Sequence, residues 1–363
     1  MKPWIPDILP LKEINWSRFI RLIGSSNAEL ARYDGILQGI INPVVLLSPL
    51  TLQEAVLSSR IEGTQATLGE VLEFEASPDE KHKKYNDIRE IINYRRAMWH
   101  AIKWLEKKPV TLNMLLEIHS ILLDSVRGKN KRRGEFRRLQ NWIGKPGTTI
   151  EEARFVPPDY AHLKDGLGNL EKYIHYDEQD RLVQLAIIHG QFKILHPFLD
   201  GNGRIGRTLI PLFLYEKKMI NSPMFYISKY LEENRDEYSE RLYNITNKRD
   251  WESWIEFFLT AIFKQAIDNS KKAKEILGLY ELMKKKISNI IQSKHAIQAI
   301  DTLFFKPVFS TTEFLNISKI PQRTTSRILK ALKEEKIIKK IREAKGRSPA
   351  LMVFPKLIEI AED

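Results

Sequence analysis

The sequence contains no cysteine, which excludes disulfides, thiolate metal sites and a cysteine nucleophile. No stretch approaches the roughly 20 consecutive apolar residues that a membrane-spanning helix needs. The residues from Met1 to Trp4 are not followed by an apolar segment, so no secretory signal is visible. These absences predict a cytoplasmic protein that does not contact membranes.

Length and charge indicate more than one domain. A chain of 363 residues is typical of two or three domains, and its hydrophobic content of 43% is ordinary for a globular protein. The net charge is +12, of which +10 lies in residues 264–363. A basic C-terminal region beside a nearly neutral body predicts an acidic partner for that region.

The most informative stretch runs from His196 to Arg207 and reads HPFLDGNGRIGR. Apolar residues at helical spacing precede and follow it, which predicts a helix, a tight loop and a second helix. Pro197 cannot continue the first helix, so we expect His196 at its end. We expect Gly201 to Gly203 to form the turn and Arg204 to open the second helix.

The residue types in this stretch are those of an anion site. The first amides of a helix lack partners within it, and glycine allows a phosphate to approach the backbone closely. Arg204 and Arg207 share one helix face and can both bind phosphate oxygens. Asp200 is the kind of oxygen ligand that Mg²⁺ uses beside phosphates, and His196 can accept a proton near neutral pH. The stretch predicts a nucleoside triphosphate site with a general base.

Other interpretations of the glycines are weaker. Residues 201–206 match the dinucleotide fingerprint GxGxxG, but that motif follows a strand, and the preceding run here has a helical period. Residues 144–149 resemble a P-loop without its G-K-[ST] ending. His119, on an apolar helix face, is predicted to be a buried or hydrogen-bonded structural histidine.

The stretch from His196 to Arg207 resembles the Fic motif, HxFx(D/E)GNGRxxR, at every defining position. The resemblance extends over about residues 3–264. Residues 58–63 are similar to the inhibitory motif of the family, [S/T]xxxE[G/N]. Residues 134–144 and 155–158 resemble the flap, a β-hairpin that pairs with the target segment in that family.

The resemblance implies a mainly α fold, with a Fic-type helical core, a β-hairpin flap and a small C-terminal winged helix-turn-helix domain. It implies a protein adenylyltransferase that moves AMP from ATP to a Ser, Thr or Tyr hydroxyl of target proteins. ATP is then the substrate, Mg²⁺ the metal, His196 the catalytic base and Asp200 the metal ligand. The implied ATP-binding residues are Gly201, Asn202, Gly203, Arg204, Ile205, Gly206, Arg207 and, on the adenine side, Tyr238.

Glu62 ends a helix predicted over about residues 49–63, with Gly63 as its C-terminal cap. A carboxylate is disfavoured at that end of a helix dipole, and on spacing alone it would be a solvated side chain. The resemblance instead implies that Glu62 is inhibitory and pairs with Arg207. Ser58, one turn earlier, would support the contact.

Four segments are predicted: residues 1–110 (N-terminal helical region), 111–264 (Fic core), 265–295 (helical linker) and 296–363 (winged helix-turn-helix). In the last segment, residues 322–333 form the recognition-type helix, with a polar side that includes Arg323, Thr325 and Lys330. The sequence leaves open whether this domain binds duplex DNA or makes only dimer or domain contacts, and whether the protein is a homodimer. Alternatives for the whole chain are a DNA-binding transcriptional regulator that senses ATP and an enzyme that removes AMP.

Overall fold

The computed structural model describes residues 2–124, 131–144, 147–291, 294–344 and 349–363. The fold is mainly helical with one small antiparallel sheet, as predicted. Residues 145 and 146, between the two predicted flap segments, and residues 345–348, in the predicted winged helix-turn-helix, lie outside the described residues.

After a short 3₁₀ turn at Trp16–Arg18, the helices follow in chain order. They are α1 (Ile20–Gln38), α2 (Pro43–Leu46), α3 (Ser48–Ile61), α4 (Leu68–Ala76), α5 (Tyr85–Leu105), α6 (Leu112–Leu122), α7 (Tyr160–Ile174), α8 (Arg181–Leu195), α9 (Asn202–Glu216), α10 (Ser228–Glu233), α11 (Arg235–Lys248), α12 (Trp251–Ile291), α13 (Ala296–Phe305), α14 (Thr311–Ser318), α15 (Gln322–Glu334) and α16 (Pro355–Glu362). The strands are β1 (Val308–Ser310), β2 (Lys339–Arg342) and β3 (Leu351–Val353), in the order β1-β3-β2.

The chain divides into two compact units, each built from separate stretches. The first unit comprises Met1–Asp34, Leu57–Gly63 and Asn93–Ile267. Helix α8 lies at its centre, buried along most of its length and in contact with α7, α9 and α11. Such all-round burial explains why α8 is apolar on nearly every face. Trp254 completes this core, and its indole N–H donates to the carbonyl of Ala186 at 2.7 Å.

The second unit comprises Gly35–Val56, Thr64–Ile92 and Asp268–Asp363. It contains the sheet, with α4 against β1 and α2 against α13. The order of α13 to β3 is consistent with the predicted winged helix-turn-helix. Ser310 caps α14: its hydroxyl accepts from the Glu313 amide, and the Glu313 carboxylate accepts from the Ser310 amide. Thr325 is buried and donates to Ile320, so it is not on the exposed face of α15.

Several predicted boundaries shift in the structure. Helix α9 begins at Asn202 rather than Arg204. The turn before it ends at Gly201, which takes the left-handed conformation at φ +81°. Helix α12 continues through residues 265–291 of the predicted linker. Among the described flap residues, strand pairing is limited to one antiparallel bridge between Ile143 and Phe155. Within the described ranges, no helix combines the length and the apolar character that crossing a bilayer requires.

The close approach of α8 to α12 gives a stability test. A methyl group at Gly190 would lie 2.8 Å from the indole nitrogen of Trp254, so Gly190→Ala should lower the free energy of unfolding by about 1–3 kcal/mol. Gly168 in α7 has open space where a methyl group would lie, and Gly168→Ala should be neutral or stabilising by up to ~1 kcal/mol. Urea unfolding of both variants measures the difference, and equal stabilities would contradict the tight packing.

Candidate active site

The loop between α8 and α9 is held by its own backbone geometry and by Asn202. His196 follows α8 in the left-handed conformation, at φ +46°, which turns the chain towards Pro197. The Asn202 amide binds Phe198 twice, because its oxygen accepts from the Phe198 amide and its nitrogen donates to the Phe198 carbonyl, both at 2.8 Å. The buried side chain of Asn202 therefore fixes the spacing between His196 and the start of α9.

His196 is neutral at physiological pH. Burial lowers its pKa to about 3, and the charges of Lys193 and Arg137 act in the same direction against the attraction of Glu62. The neutral imidazole is the form that can accept a proton from a hydroxyl.

His119 supports the other side of the loop, as a buried and hydrogen-bonded residue. Its Nδ1 accepts from the Gly134 amide at 2.9 Å, so its Nε2 carries the proton and donates to the Asp200 carbonyl at 3.1 Å. The ring stacks on Phe198 with centroids 3.8 Å apart. Burial lowers the pKa of His119 to about 4, so this histidine stays neutral and structural, as predicted.

The space beside the N-terminus of α9 is filled by the Glu62 carboxylate. A methyl group at Gly203 would lie only 1.7 Å from the Glu62 Oε1, so the carboxylate occupies the space that the missing side chain leaves. The unpaired amides and positive dipole end of a helix favour negative charge at this place. A phosphate oxygen has the chemistry to take the place of that carboxylate.

Arg207 joins this site to the end of α3. Its guanidinium is fully buried and donates to three oxygen atoms: the Ser58 hydroxyl at 2.8 Å, the Ser58 carbonyl at 2.7 Å and the Glu62 carboxylate at 2.7 Å. Gly63 follows at φ +102°, a conformation that glycine adopts readily after a helix. The three predicted inhibitory residues therefore lie together at the site.

The Glu62 carboxylate is ionised and strongly held. Its side chain is one-third exposed. Burial raises its pKa, but Arg207, Lys193 and Arg204 outweigh that effect and lower the pKa to about 2. Lys193 was absent from the residues predicted for the site, although it lies one turn before His196 on α8 and could have been found from that spacing.

Asp200 lies at the open side of the loop. Its side chain is 42% exposed, its Oδ1 accepts from the Gly201 amide at 2.6 Å, and Arg204 lies 3.5 Å from the same oxygen. The described residues contain no cluster of three or more His, Asp or Glu side chains able to hold a metal by themselves. A single accessible carboxylate beside an anion site nevertheless suits Mg²⁺, which binds few protein ligands when it also binds phosphates.

A cavity of about 320 Å³ opens beside Glu62. Tyr238 lines it, and the hydroxyl of this tyrosine donates its hydrogen to His189 Nε2 at 2.9 Å, so this O–H is not a free donor for a ligand. His189 Nδ1 donates in turn to the Gly206 carbonyl at 3.0 Å. Further lining residues are Ile143 and Phe155 of the predicted flap. Arg154, Lys193, Arg235 and Tyr243 also line the cavity and are not among the predicted site residues.

Ile205 and Gly206 face the protein interior. Ile205 is part of the apolar core, and a methyl group at Gly206 would lie 3.2 Å from Phe192. The structure thus brings His196, Glu62, Ser58, Arg204 and Arg207 together around the α9 N-terminus, with Tyr238 at the adjacent cavity.

Two family profiles match the chain: "Fic/DOC family N-terminal" over residues 20–103 and "Fic/DOC family" over residues 109–214. Curated relatives include Protein adenylyltransferase Fic of Drosophila grimshawi, 30% identical over 164 residues, and that of Drosophila melanogaster, 28% identical. Each match covers 42% of this chain and 31% or 30% of the relative, so the chain spans about a third of their length.

Solved structures share the fold. A Fic family protein from Desulfovibrio desulfuricans G20 has a TM-score of 0.61 at 18% identity, covering 98% of both chains. A variant of a Fic-1 fragment from C. elegans has a TM-score of 0.54 at 17% identity, covering 74% of both chains.

The low pKa of Glu62 gives a pH test of the ion pair. Because the pKa is about 2 in the folded protein and about 4.3 in an unfolded chain, the pair stabilises the fold above pH ~4 and loses this effect as the pH falls towards 2. Glu62→Gln should lower the Tm at pH 7. The difference in Tm between this variant and the wild type should become smaller below pH ~4.5.

Melting curves recorded from pH 7 to pH 3.5 measure this difference in Tm. Glu135→Gln is the matched control, because Glu135 is exposed and 3.9 Å from Arg132. A difference that is independent of pH would contradict the assigned ion pair.

Proposed function

Because the chain belongs to the Fic/DOC family, we propose that it is a protein adenylyltransferase that transfers AMP from ATP to a hydroxyl group of target proteins. The names of its curated relatives support this activity. The observation that carries the proposal is the pairing of a neutral His196 with an anion site that a carboxylate already occupies.

ATP would bind with its phosphates along the N-terminus of α9. The amides of residues 201–203 would stabilise the charge of the transferring phosphate, Arg204 would bind the β-phosphate and Arg207 the γ-phosphate. The adenine would enter the cavity beside the Tyr238 ring. Asp200 would hold Mg²⁺, which would neutralise phosphate charge during transfer.

His196 would act on the target protein. A Ser, Thr or Tyr hydroxyl gives its proton to the imidazole while its oxygen attacks the α-phosphorus of ATP. The bond from the α-phosphorus to the bridging oxygen breaks, and pyrophosphate leaves with that oxygen. The products are the AMP-modified hydroxyl and pyrophosphate, with the proton carried by His196 until water removes it. The flap, near the bridge of Ile143 to Phe155, would guide the target segment to this point.

Glu62 would keep the enzyme inactive. Its carboxylate holds the Arg207 guanidinium and fills the space over Gly203, where a phosphate would otherwise bind. ATP could then enter without the alignment that attack requires. The same carboxylate could orient a water for AMP removal, so removal of AMP is the alternative activity of this site.

A second candidate function is DNA binding by α15. Arg323, Arg327 and Lys330 are exposed on this helix, whereas Ile328, Leu329 and Leu332 are buried, so one cationic face is open to a duplex. A regulator that merely senses ATP would need this face and the anion site but no general base. Activity and DNA binding can therefore be tested separately.

Removing the inhibitory carboxylate should activate AMP transfer. Glu62→Gly should raise the incorporation of α-labelled AMP by about tenfold or more, and the isosteric Glu62→Gln, which still fills the space over Gly203, should raise it less. The reason is that a freed Arg207 regains a charged hydrogen bond to phosphate, worth roughly 1.5–3 kcal/mol. Incorporation no higher than in the wild type, with both variants folded, would show that Glu62 does not inhibit.

In the Glu62→Gly background, His196→Ala should slow transfer by about 10²–10⁴ and leave the Kd for ATP unchanged, because the base contacts the hydroxyl rather than the nucleotide. His162→Ala, at an exposed histidine paired with Asp159, is the matched control. Single-turnover labelling and calorimetric titration with ATP give the two quantities. A normal rate in the His196 variant would remove this residue from the mechanism.

The full chain should bind duplex DNA at low salt, with a log–log salt slope of about −5 if six phosphates are contacted. Arg323→Ala and Arg327→Ala should each weaken binding and reduce the slope by about one, whereas Lys285→Ala in α12 should not. Fluorescence anisotropy across salt concentrations measures both effects. No binding at low salt would indicate that this region makes only protein contacts.

A further inference from the structure

Arg137 is a fully buried arginine outside the motif of residues 196–207. Burial lowers its pKa to about 10, so the guanidinium remains charged at neutral pH. In the described part of the chain, its hydrogen-bond partners are carbonyl oxygens and not a carboxylate. A buried charge is costly, and its retention here among carbonyl oxygens calls for an explanation.

The partners of Arg137 lie on two segments. Its Nε donates to the His196 carbonyl at 2.9 Å, its Nη2 contacts the Leu195 carbonyl at 3.4 Å, and its own backbone amide donates to the Pro197 carbonyl at 2.8 Å. Three consecutive carbonyls at the end of α8 are thus held by one residue. The negative end of a helix dipole attracts a cation at this place.

The remaining donors hold both ends of the flap. Nη1 donates to the Leu139 carbonyl at 3.3 Å, and Nη2 donates to the Pro158 carbonyl at 2.5 Å. Asn141 adds a parallel link, because its amide donates to the Phe198 carbonyl at 3.1 Å. The flap and the turn that carries His196 therefore form one hydrogen-bonded block.

We propose that Arg137 is a positioning residue for the His196 base, and that it couples the place of the flap, where the target would dock, to the orientation of the imidazole. This role rests on the proposed adenylyltransferase activity. A left-handed histidine before a proline has few local hydrogen bonds to fix it, because Pro197 has no amide hydrogen. The planar fork of arginine suits several carbonyls at fixed angles, whereas the single ammonium of lysine does not.

The test uses the full chain with Glu62→Gly as the active parent. Arg137→Lys keeps the charge and loses the fork, and we expect it to slow single-turnover transfer by up to about 10²-fold, as displacement of a catalytic group by ~1 Å can do. The Kd for ATP should stay at the parental value. The matched control is Arg133→Lys, because Arg133 is exposed and contacts Ser120 and Asp124 rather than the turn that carries His196.

A double-mutant cycle separates positioning from general stability. If Arg137 acts through His196, Arg137→Lys added to His196→Ala should cause no further loss of rate. A merely structural role would lower the residual rate again. Asn141→Ala, which removes no buried charge, should show the same pattern with a smaller loss and provides the test if Arg137→Lys does not fold.

Three results would overturn the role: a parental rate in Arg137→Lys, additive losses with His196→Ala, or, when only Asn141→Ala folds, a parental rate in that variant. A parent that transfers no AMP would instead overturn the proposed function, and the role of Arg137 with it. The two failures are distinguishable because the parent is measured first.

Discussion

The site depends on the electrostatics of one helix end. The N-terminus of α9 combines the positive end of a helix dipole, the space over Gly203 and the buried guanidinium of Arg207, and this arrangement favours a negative charge. The Glu62 carboxylate supplies it in this structure, at 2.7 Å from Arg207. Because a carboxylate and a phosphate oxygen satisfy the same donors, the contact that stabilises the resting protein also competes with the substrate we propose.

Hydrogen bonds from the surrounding residues convert this helix end into a defined site. Asn202 fixes the loop from within, His119 holds Asp200 from α6, and Arg137 holds the carbonyls around His196 from the flap. The two buried histidines around the site, His119 and His189, are both neutral, with pKa values of about 4 and about 3. Their tautomers follow from carbonyl and amide partners, so they act as fixed donors and acceptors and not as proton carriers.

The cavity beside Glu62 is lined by both aromatic and cationic side chains. Tyr238 contributes a ring, while its hydroxyl is used by His189. Three cations, Lys193, Arg154 and Arg235, are among the residues that line the cavity beside Glu62. Burial lowers the pKa of Lys193 to about 8, against the effect of Glu62, which still leaves a positive charge beside Glu62 at neutral pH. A polyanionic ligand is favoured over a neutral one by this arrangement.

The sequence alone determined the helical class and the helix-loop-helix around His196. These features are local, since they depend on apolar periodicity, on Pro197 and Gly201 in the chain, and on a motif of twelve residues. The tertiary structure decided the contacts that join distant stretches. Glu62 and Arg207 are separated by 145 residues, and Arg137 and His196 by 59. The resemblance to a family suggested the pair of Glu62 and Arg207. No residue pattern indicated the pair of Arg137 and His196, because the residues next to an arginine in the chain do not show whether it is buried among carbonyl groups. Spacing along the chain shows which side chains share one face of a helix, and only tertiary packing determines which residues they contact.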